Sequence, residues 1–358
     1  MSFWQQLQKP IIAVAPMADV TDAPFRRMIA KYSNCLTPGV GHFNNFVTWT
    51  EFVSADGLLK ATPEGKEKLM ADLKYSEEER PIVAQLFTSN EEHMEQAAAL
   101  CRELGFDGID INMGCPDRII EKQGCGSAMI KTPNVARKII QAAKRGAGDV
   151  PVSVKTRIGY NHDQIDDWLP VLLKEKPAAL TVHLRTRKQM SKVPADWEQL
   201  KRVVALRDEL SPETLVLGNG DVLSMDDARE KAKLFRADGI MVGRALFGNP
   251  WFFHPTKRLP IRLTSLPTHG VNRETLIEQD TNDDSVEYVT LEERLRVLVE
   301  HSQLFVELLP FKNFAVMKKH YKAYVNGFPG AAELRGELMS CNTPEMVETI
   351  VKKFLGRI

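Results

Sequence analysis

Several absences narrow the reading before any motif does. The 358 residues hold only five cysteines (Cys35, Cys101, Cys115, Cys125 and Cys341), scattered and with no pair at zinc-ligand spacing. A disulfide framework is not expected in a chain this long, and neither is a metal site. Lys plus Arg and Asp plus Glu both number 47, so net charge gives no hint of a nucleic-acid partner. No apolar run approaches the roughly 20 residues a bilayer span needs, so no membrane association is expected. The opening Met-Ser-Phe-Trp-Gln-Gln-Leu-Gln-Lys-Pro has no apolar core of a secretory signal. The expected location is the cytoplasm. No G-x-G-x-x-G follows the first apolar segment and no Walker loop occurs, which counts against an open dinucleotide-binding sheet.

What is present is an alternation. From Ile11 to about Phe253, short apolar segments are separated by stretches with helical period. Strands are expected at Ile11–Ala15, near Leu36–Val40, and at Ile82–Phe87, Gly108–Ile111, Val152–Lys155, Leu180–His183, Leu215–Gly218 and Gly239–Val242. Met94, Ala97, Ala98 and Cys101 share one helix face, as do Ala136, Ile139, Ile140 and Ala143. Near-continuous apolar strands imply burial on both faces. Eight of them alternating with helices predict an α/β fold, a (β/α)8 TIM barrel, over residues 1–254. Residues 255–289, rich in Pro, Asp, Asn and Thr, read as a linker or long surface loop. Thr290-Leu-Glu-Glu is a capping-box signature that opens a small helical bundle over 290–358.

Polar residues recur where these strands end, and barrel chemistry is done at strand C-termini. Asn219-Gly220-Asp221 follows the seventh strand and Gly243-Arg244 the eighth, the usual location of a phosphate site in such barrels. Glycine admits close approach of backbone N–H groups, and Arg244 can grip a phosphate bidentately. A mononucleotide cofactor is favoured over a dinucleotide. Lys155 ends the fifth strand, where its charge can stabilise an anion such as the N1/O2 edge of a flavin. Gln85, at the end of the third strand, matches a donor/acceptor ring edge or equally the backbone of a neighbouring loop. His183 suits substrate or cofactor. Cys115, in the turn Ile111-Asn112-Met113-Gly114-Cys115-Pro116, is the sharpest candidate, with Cys125 its competitor. A thiol is mostly protonated at neutral pH and can act as a general acid; a nucleophilic role would need an activating partner that does not adjoin it.

Gathered together, these residues resemble the tRNA-dihydrouridine synthases. The matching segments are Ala15-Pro-Met-Ala-Asp-Val-Thr-Asp, Thr50-Glu-Phe-Val-Ser-Ala-Asp, Gln85-Leu-Phe, Asn112-Met-Gly-Cys-Pro, Val154-Lys-Thr-Arg, His183-Leu-Arg-Thr-Arg, Asn219-Gly-Asp and Val242-Gly-Arg-Ala. The resemblance implies an FMN-binding barrel joined to a helical tRNA-binding domain, with NADPH reducing the flavin. The reaction it implies is reduction of the C5=C6 bond of selected uridines, hydride arriving at C6 from N5 of FMN and a proton at C5 from Cys115. By that similarity Pro16, Met17, Ala18, Gln85, Lys155, Asn219, Gly220, Asp221, Gly243 and Arg244 fall on FMN-binding positions, with Asn112, Arg157 and His183 near the uracil or the cofactor. Lys312, Lys318, Lys319, Lys322 and Arg335, with Arg185, Arg187, Lys188 and Lys192, are the expected tRNA-facing charges. Two alternatives stand beside this one: a flavin barrel acting on a free small molecule, and an RNA-binding protein that has kept the fold without the chemistry.

Overall fold

The computed structural model describes residues 2–33, 46–260 and 286–357. Eight parallel strands close into a barrel in sequence order: β1 (Ile11–Val14), β2 (Phe46–Ser54), β3 (Ile82–Phe87), β4 (Gly108–Met113), β5 (Val152–Arg157), β6 (Ala179–His183), β7 (Leu215–Asn219) and β8 (Gly239–Val242). The last strand pairs with the first, Ile11 opposite Gly239 through Val14 opposite Val242. Every residue of β1, β3, β4 and β8 is buried, as strands covered on both faces require.

Helices alternate with these strands. They are α1 (Ala23–Ser33), α2 (Ala55–Lys60), α3 (Pro63–Asp72), α4 (Glu91–Glu103), α5 (Arg118–Lys122), α6 (Pro133–Ala147), α7 (Ile165–Leu173), α8 (Gln199–Leu210) and α9 (Met225–Phe235). The faces expected from sequence are the buried ones: Met94, Ala97, Ala98 and Cys101 on α4, and Ala136, Ile139, Ile140 and Ala143 on α6. Ser224 caps α9 by accepting from the Asp227 N–H. Phe3 packs on Trp4, and Trp4 on Trp49 of β2, ring centroids 4.6 and 6.0 Å apart, in one buried cluster.

The second strand differs from expectation. The segment Leu36–Val40 lies outside the described residues, and the strand that pairs with β1 and β3 is β2. It carries Thr48, Thr50 and Glu51, all buried, and its register shifts between Trp49 and Phe52. Polar residues inside a strand break the apolar run by which the others were legible.

Contacts divide the chain into two compact units. One comprises Met1–Asp22 with Leu36–Arg244; the other comprises Ala23–Cys35 with Ala245–Ile358. The second unit therefore includes α1, which the sequence assigns to the barrel region. It holds β9 (Lys257–Arg258) paired in parallel with β10 (Glu287–Tyr288), then α10 (Leu291–Leu308), α11 (Met317–Tyr324), α12 (Ala331–Leu338) and α13 (Pro344–Leu355). Thr290 caps α10 through the Glu293 N–H, as its signature predicts. Leu295, Leu298, Ser302, Phe305 and Leu309 are buried along one face. On α1, Phe25 sits 6.2 Å from His301 and 5.8 Å from His320, and Lys31 reaches Glu300 at 2.5 Å. Among the described residues no helix is long and apolar enough to cross a membrane.

Candidate active site

Strand alternation aims Asp110 and Asn112 of β4 at the same side, and cross-strand register supplies their partners. Gln85 stands opposite Asp110 on β3, and Ser153 stands opposite it on β5. A hydrogen-bonded chain results. Ser153 Oγ donates to Asp110 Oδ1 (2.6 Å) and Gln85 Nε2 to Asp110 Oδ2 (2.6 Å). Asn112 Nδ2 donates to Gln85 Oε1 (3.0 Å), and Asn112 Oδ1 accepts from the N–H groups of Gly114 (3.1 Å) and Cys115 (2.9 Å).

The turn that carries Cys115 is held from three further directions. The Gly114 carbonyl accepts from Arg157 Nε at 2.7 Å. The Cys115 carbonyl accepts from the Ser127 N–H and lies 2.9 Å from its hydroxyl, which also reaches Glu121 Oε1 at 2.9 Å. Glu121 is clasped by Arg187. Gly114 lies against the β5 backbone, where a Cβ would come within 3.2 Å of Thr156, so the close approach suits glycine. These bonds fix where the thiol sits before any ligand arrives.

Cys115 is half-buried, whereas Cys101, Cys125 and Cys341 are fully buried. Burial pushes the Cys115 thiol up, against a smaller downward pull from the Asp117 N–H and the charges of Arg157 and Lys155. It is therefore a protonated thiol at neutral pH. Its competitor Cys125 is raised by burial to about 11 and lacks access. Cys35 lies outside the described residues.

Across the barrel the groups are charged. Lys155 Nζ donates to Asn219 Oδ1 at 3.2 Å, and Asn219 Nδ2 donates to the Met241 carbonyl at 2.8 Å. Burial, with the charge of Arg157, lowers Lys155 to about 8. Asp221 accepts from Arg185, Arg244 and the Ala195 N–H. Arg185 Nη1 lies 3.1 Å from His183 Nε2. A guanidinium can only donate, so His183 keeps Nε2 unprotonated and carries its proton on Nδ1. Burial and the surrounding cations hold this imidazole well below its usual range, hence neutral.

The residues expected to hold a flavin mononucleotide are compatible with one. Gly220 has a positive φ of 132° and a Cβ there would strike Ala195 at 2.7 Å, so the fold itself demands glycine. Gly243 is different: a Cβ would make ordinary contact with Met17 Sδ (3.5 Å) and Ala15 (3.6 Å). The packing leaves a cradle there beside the half-exposed Arg244, as an anion approaching the backbone would need. Pro16 and Met17 are half-buried and Ala18 exposed, following β1, with Thr21 Oγ1 accepting from the Met17 N–H at 2.8 Å.

Some of the expected site residues already have protein partners. Arg157 spends Nε on a backbone carbonyl and Nη1 reaches the Thr186 and Met190 carbonyls at 3.4 Å, so it braces the turn. Arg185 and Arg187, expected to face tRNA, are committed to Asp221 and Glu121, while Lys188 and Lys192 are exposed. Sequence reasoning missed Asp110, Ser153, Ser127 and Glu121. The spacing Asp110-Ile111-Asn112 was the available signal, since period two puts both polar groups on one side.

Known proteins resemble this chain along nearly its whole length. The family model described as dihydrouridine synthase matches residues 13–358. A probable tRNA-dihydrouridine synthase of Staphylococcus aureus is 36% identical over 356 residues, covering 99% of this chain and 95% of its own. The probable tRNA-dihydrouridine synthase 2 of Bacillus subtilis is 35% identical over 354 residues, covering 99% and 96%. Among solved structures, a 2-naphthoyl-CoA reductase complex superposes with TM-score 0.50 at 10% identity, over 70% of this chain and 52% of the other, a likeness of fold. With a match running from the first barrel strand to the last helix, the chain belongs to the dihydrouridine synthase family.

Proposed function

We propose that this enzyme reduces the C5=C6 bond of selected uridines in tRNA to 5,6-dihydrouridine, in the cytoplasm, using FMN with NADPH as electron donor. The observation that carries the reading is the protonated, half-buried Cys115 thiol, fixed in a braced turn at the end of β4. When bound, the flavin supplies the hydride that adds at C6. Cys115 gives its Sγ proton to C5, which completes the addition, and solvent returns that proton. The ammonium of Lys155 and the guanidinium of Arg157 ease the passing thiolate charge. Arg244 and the Gly243 cradle take the phosphate, and Pro16, Met17, Ala18, Gln85, His183, Asn219, Gly220 and Asp221 complete the cofactor's surroundings, Asp221 by orienting Arg244. Asn112 serves the uracil through its second N–H, and Arg157 contributes by bracing the turn below it.

A uridine must leave its stack to reach a thiol so placed, at a cost of roughly a few kcal/mol. Recognition rests on tRNA shape and phosphate contacts. In the barrel the exposed Lys188 and Lys192 supply such contacts, and the helical segment 290–358 supplies its own through Lys318, Lys319 and Lys322. The deciding experiment maps dihydrouridine in tRNA from cells lacking this protein. Loss of dihydrouridine at defined positions supports the proposal. An unchanged map, or a purified protein without bound flavin, overturns it.

A further inference from the structure

We propose that Ile119, Met190 and Val193 form an apolar contact for the RNA bases flanking the extruded uridine, a contact that presupposes the uridine-reductase reading above. Among the described residues of the barrel unit, the large apolar side chains left exposed are Ile119 (70%), Met190 (41%), Val193 (37%) and Leu234. Leu234 lies on α9. The other three stand on the segments that follow β4 and β6, at the strand ends where Cys115 and His183 are found. Apolar side chains scattered singly over a surface need no explanation, but a group gathered at the mouth of a site does.

Their backbones are gripped by the site's own buried arginines. Arg157, whose Nε holds the Gly114 carbonyl, reaches the Met190 carbonyl through Nη1 at 3.4 Å. Arg185, bonded to Asp221, donates from Nε to the Val193 carbonyl at 2.6 Å. The Ile119 N–H donates to Asp117 at 2.8 Å, and Glu121 of the same helix takes Arg187, which ties the two segments to each other. Met190 is held at a φ of 52°, a conformation that a side chain larger than glycine adopts only at a cost. The apolar groups are thus presented on a braced frame that is continuous with the Cys115 turn.

A uridine drawn from its stack leaves the faces of its neighbours bare, and side chains such as Ile and Met cover or wedge between unstacked bases. Around them Arg118, Lys122, Lys188 and Lys192 are exposed, placed for the adjoining phosphates. Asp117, the exposed carboxylate of the first segment, accepts from the Ile119 and Ile120 N–H groups at the start of α5. Apolar groups interleaved with cations suit a nucleic-acid strand, whereas the core of a contact between protein copies is poor in lysine.

The test uses the full-length holoenzyme and an unmodified tRNA transcript carrying 2-aminopurine beside the uridine that dihydrouridine mapping identifies. This base brightens when it is unstacked. Ile119→Ser and Met190→Ser should each lower kcat/KM for tRNA about tenfold, as loss of one covered apolar side chain implies. The brightening should weaken in parallel, with flavin content and the slope of affinity against salt unchanged, because no cation has been removed. Met190→Leu keeps the apolar face and should keep the original values, as should Leu234→Ser on α9. Serine variants that convert and unstack the tRNA like the unsubstituted enzyme overturn the proposal. So does a loss that Met190→Leu or Leu234→Ser shares, or one that comes with loss of flavin. A change of oligomeric state with tRNA handling intact also overturns it, since the patch is then a contact between copies. An unsubstituted protein that makes no dihydrouridine defeats the reductase reading and this contact with it. One that makes dihydrouridine while both serine variants match it defeats the contact alone.

Discussion

The two sides of the barrel mouth solve different problems with different chemistry. On the β3–β5 side, Asp110, Gln85, Asn112 and the Cys115 turn are joined by directed hydrogen bonds, donor matched to acceptor. On the β6–β8 side, Arg185 and Arg244 share the single carboxylate of Asp221, with Lys155 near and His183 neutral, leaving positive charge in surplus. A proton donor has to be placed to within a fraction of an ångström, which directional bonds do. A phosphate-bearing group is gathered by charge, which tolerates looser placement. The contrast separates where the site achieves geometry from where it achieves affinity.

The sharpest way to break that division is Cys115→Ala. Uridine reduction should fall by roughly 10²–10⁴-fold, the usual range for a lost general acid, with flavin content unchanged by absorbance. A variant that loses its flavin would show the thiol side contributing to affinity after all. Arg244→Ala should do the converse. Flavin should bind about 10- to 100-fold more weakly, as loss of a charged hydrogen bond implies, and turnover at saturating flavin should survive. Flavin titration of the two proteins side by side decides it.

The pH response of Lys155 gives a third, smaller effect with two opposite signs. Its ammonium is present below about 8 and lost above, so the flavin-dependent rate should decline by at most about tenfold between pH 7 and 9. Stability moves the other way. Between about 8 and the usual 10.5 the unfolded chain holds a proton that the folded one has released, so unfolding becomes costlier as pH rises. Lys155→Met should remove both trends, read from rate and denaturant midpoint against pH. Smallest is Arg157→Lys, which keeps the charge but loses the planar donor set. It should lower the uridine-reduction rate by a few-fold, with flavin affinity intact, because the Gly114 carbonyl loses its brace. Equal loss in both measurements would erase the distinction between the two sides.

Much of the fold could be read from residues whose environment is set locally. Strands Ile82–Phe87 and Gly239–Val242 stand out as apolar runs and end where expected. Asn112, Cys115, Lys155, Asn219 and Arg244 were legible as polar residues at strand ends. What was not legible depends on pairing across distance. Asp110 finds Gln85 and Ser153 only through strand register. Arg187 meets Glu121 across 66 positions, so a residue that looks like a solvated cation is half of an ion pair. Strand β2 escaped notice because its buried Thr48 and Thr50 spend their hydroxyls on carbonyls, at 2.6 Å to Glu79 and 2.7 Å to Glu51.

Helix α1 has one more implication, for how the protein is made. Phe25 and Lys31 rest against His301, His320 and Glu300, and Lys31 and Glu300 stand 269 positions apart in the chain. An amphipathic segment must therefore wait for residues some 269 positions further on before its apolar face is covered. Removing α10 and α11 would take from α1 the His301 and His320 rings that Phe25 packs against.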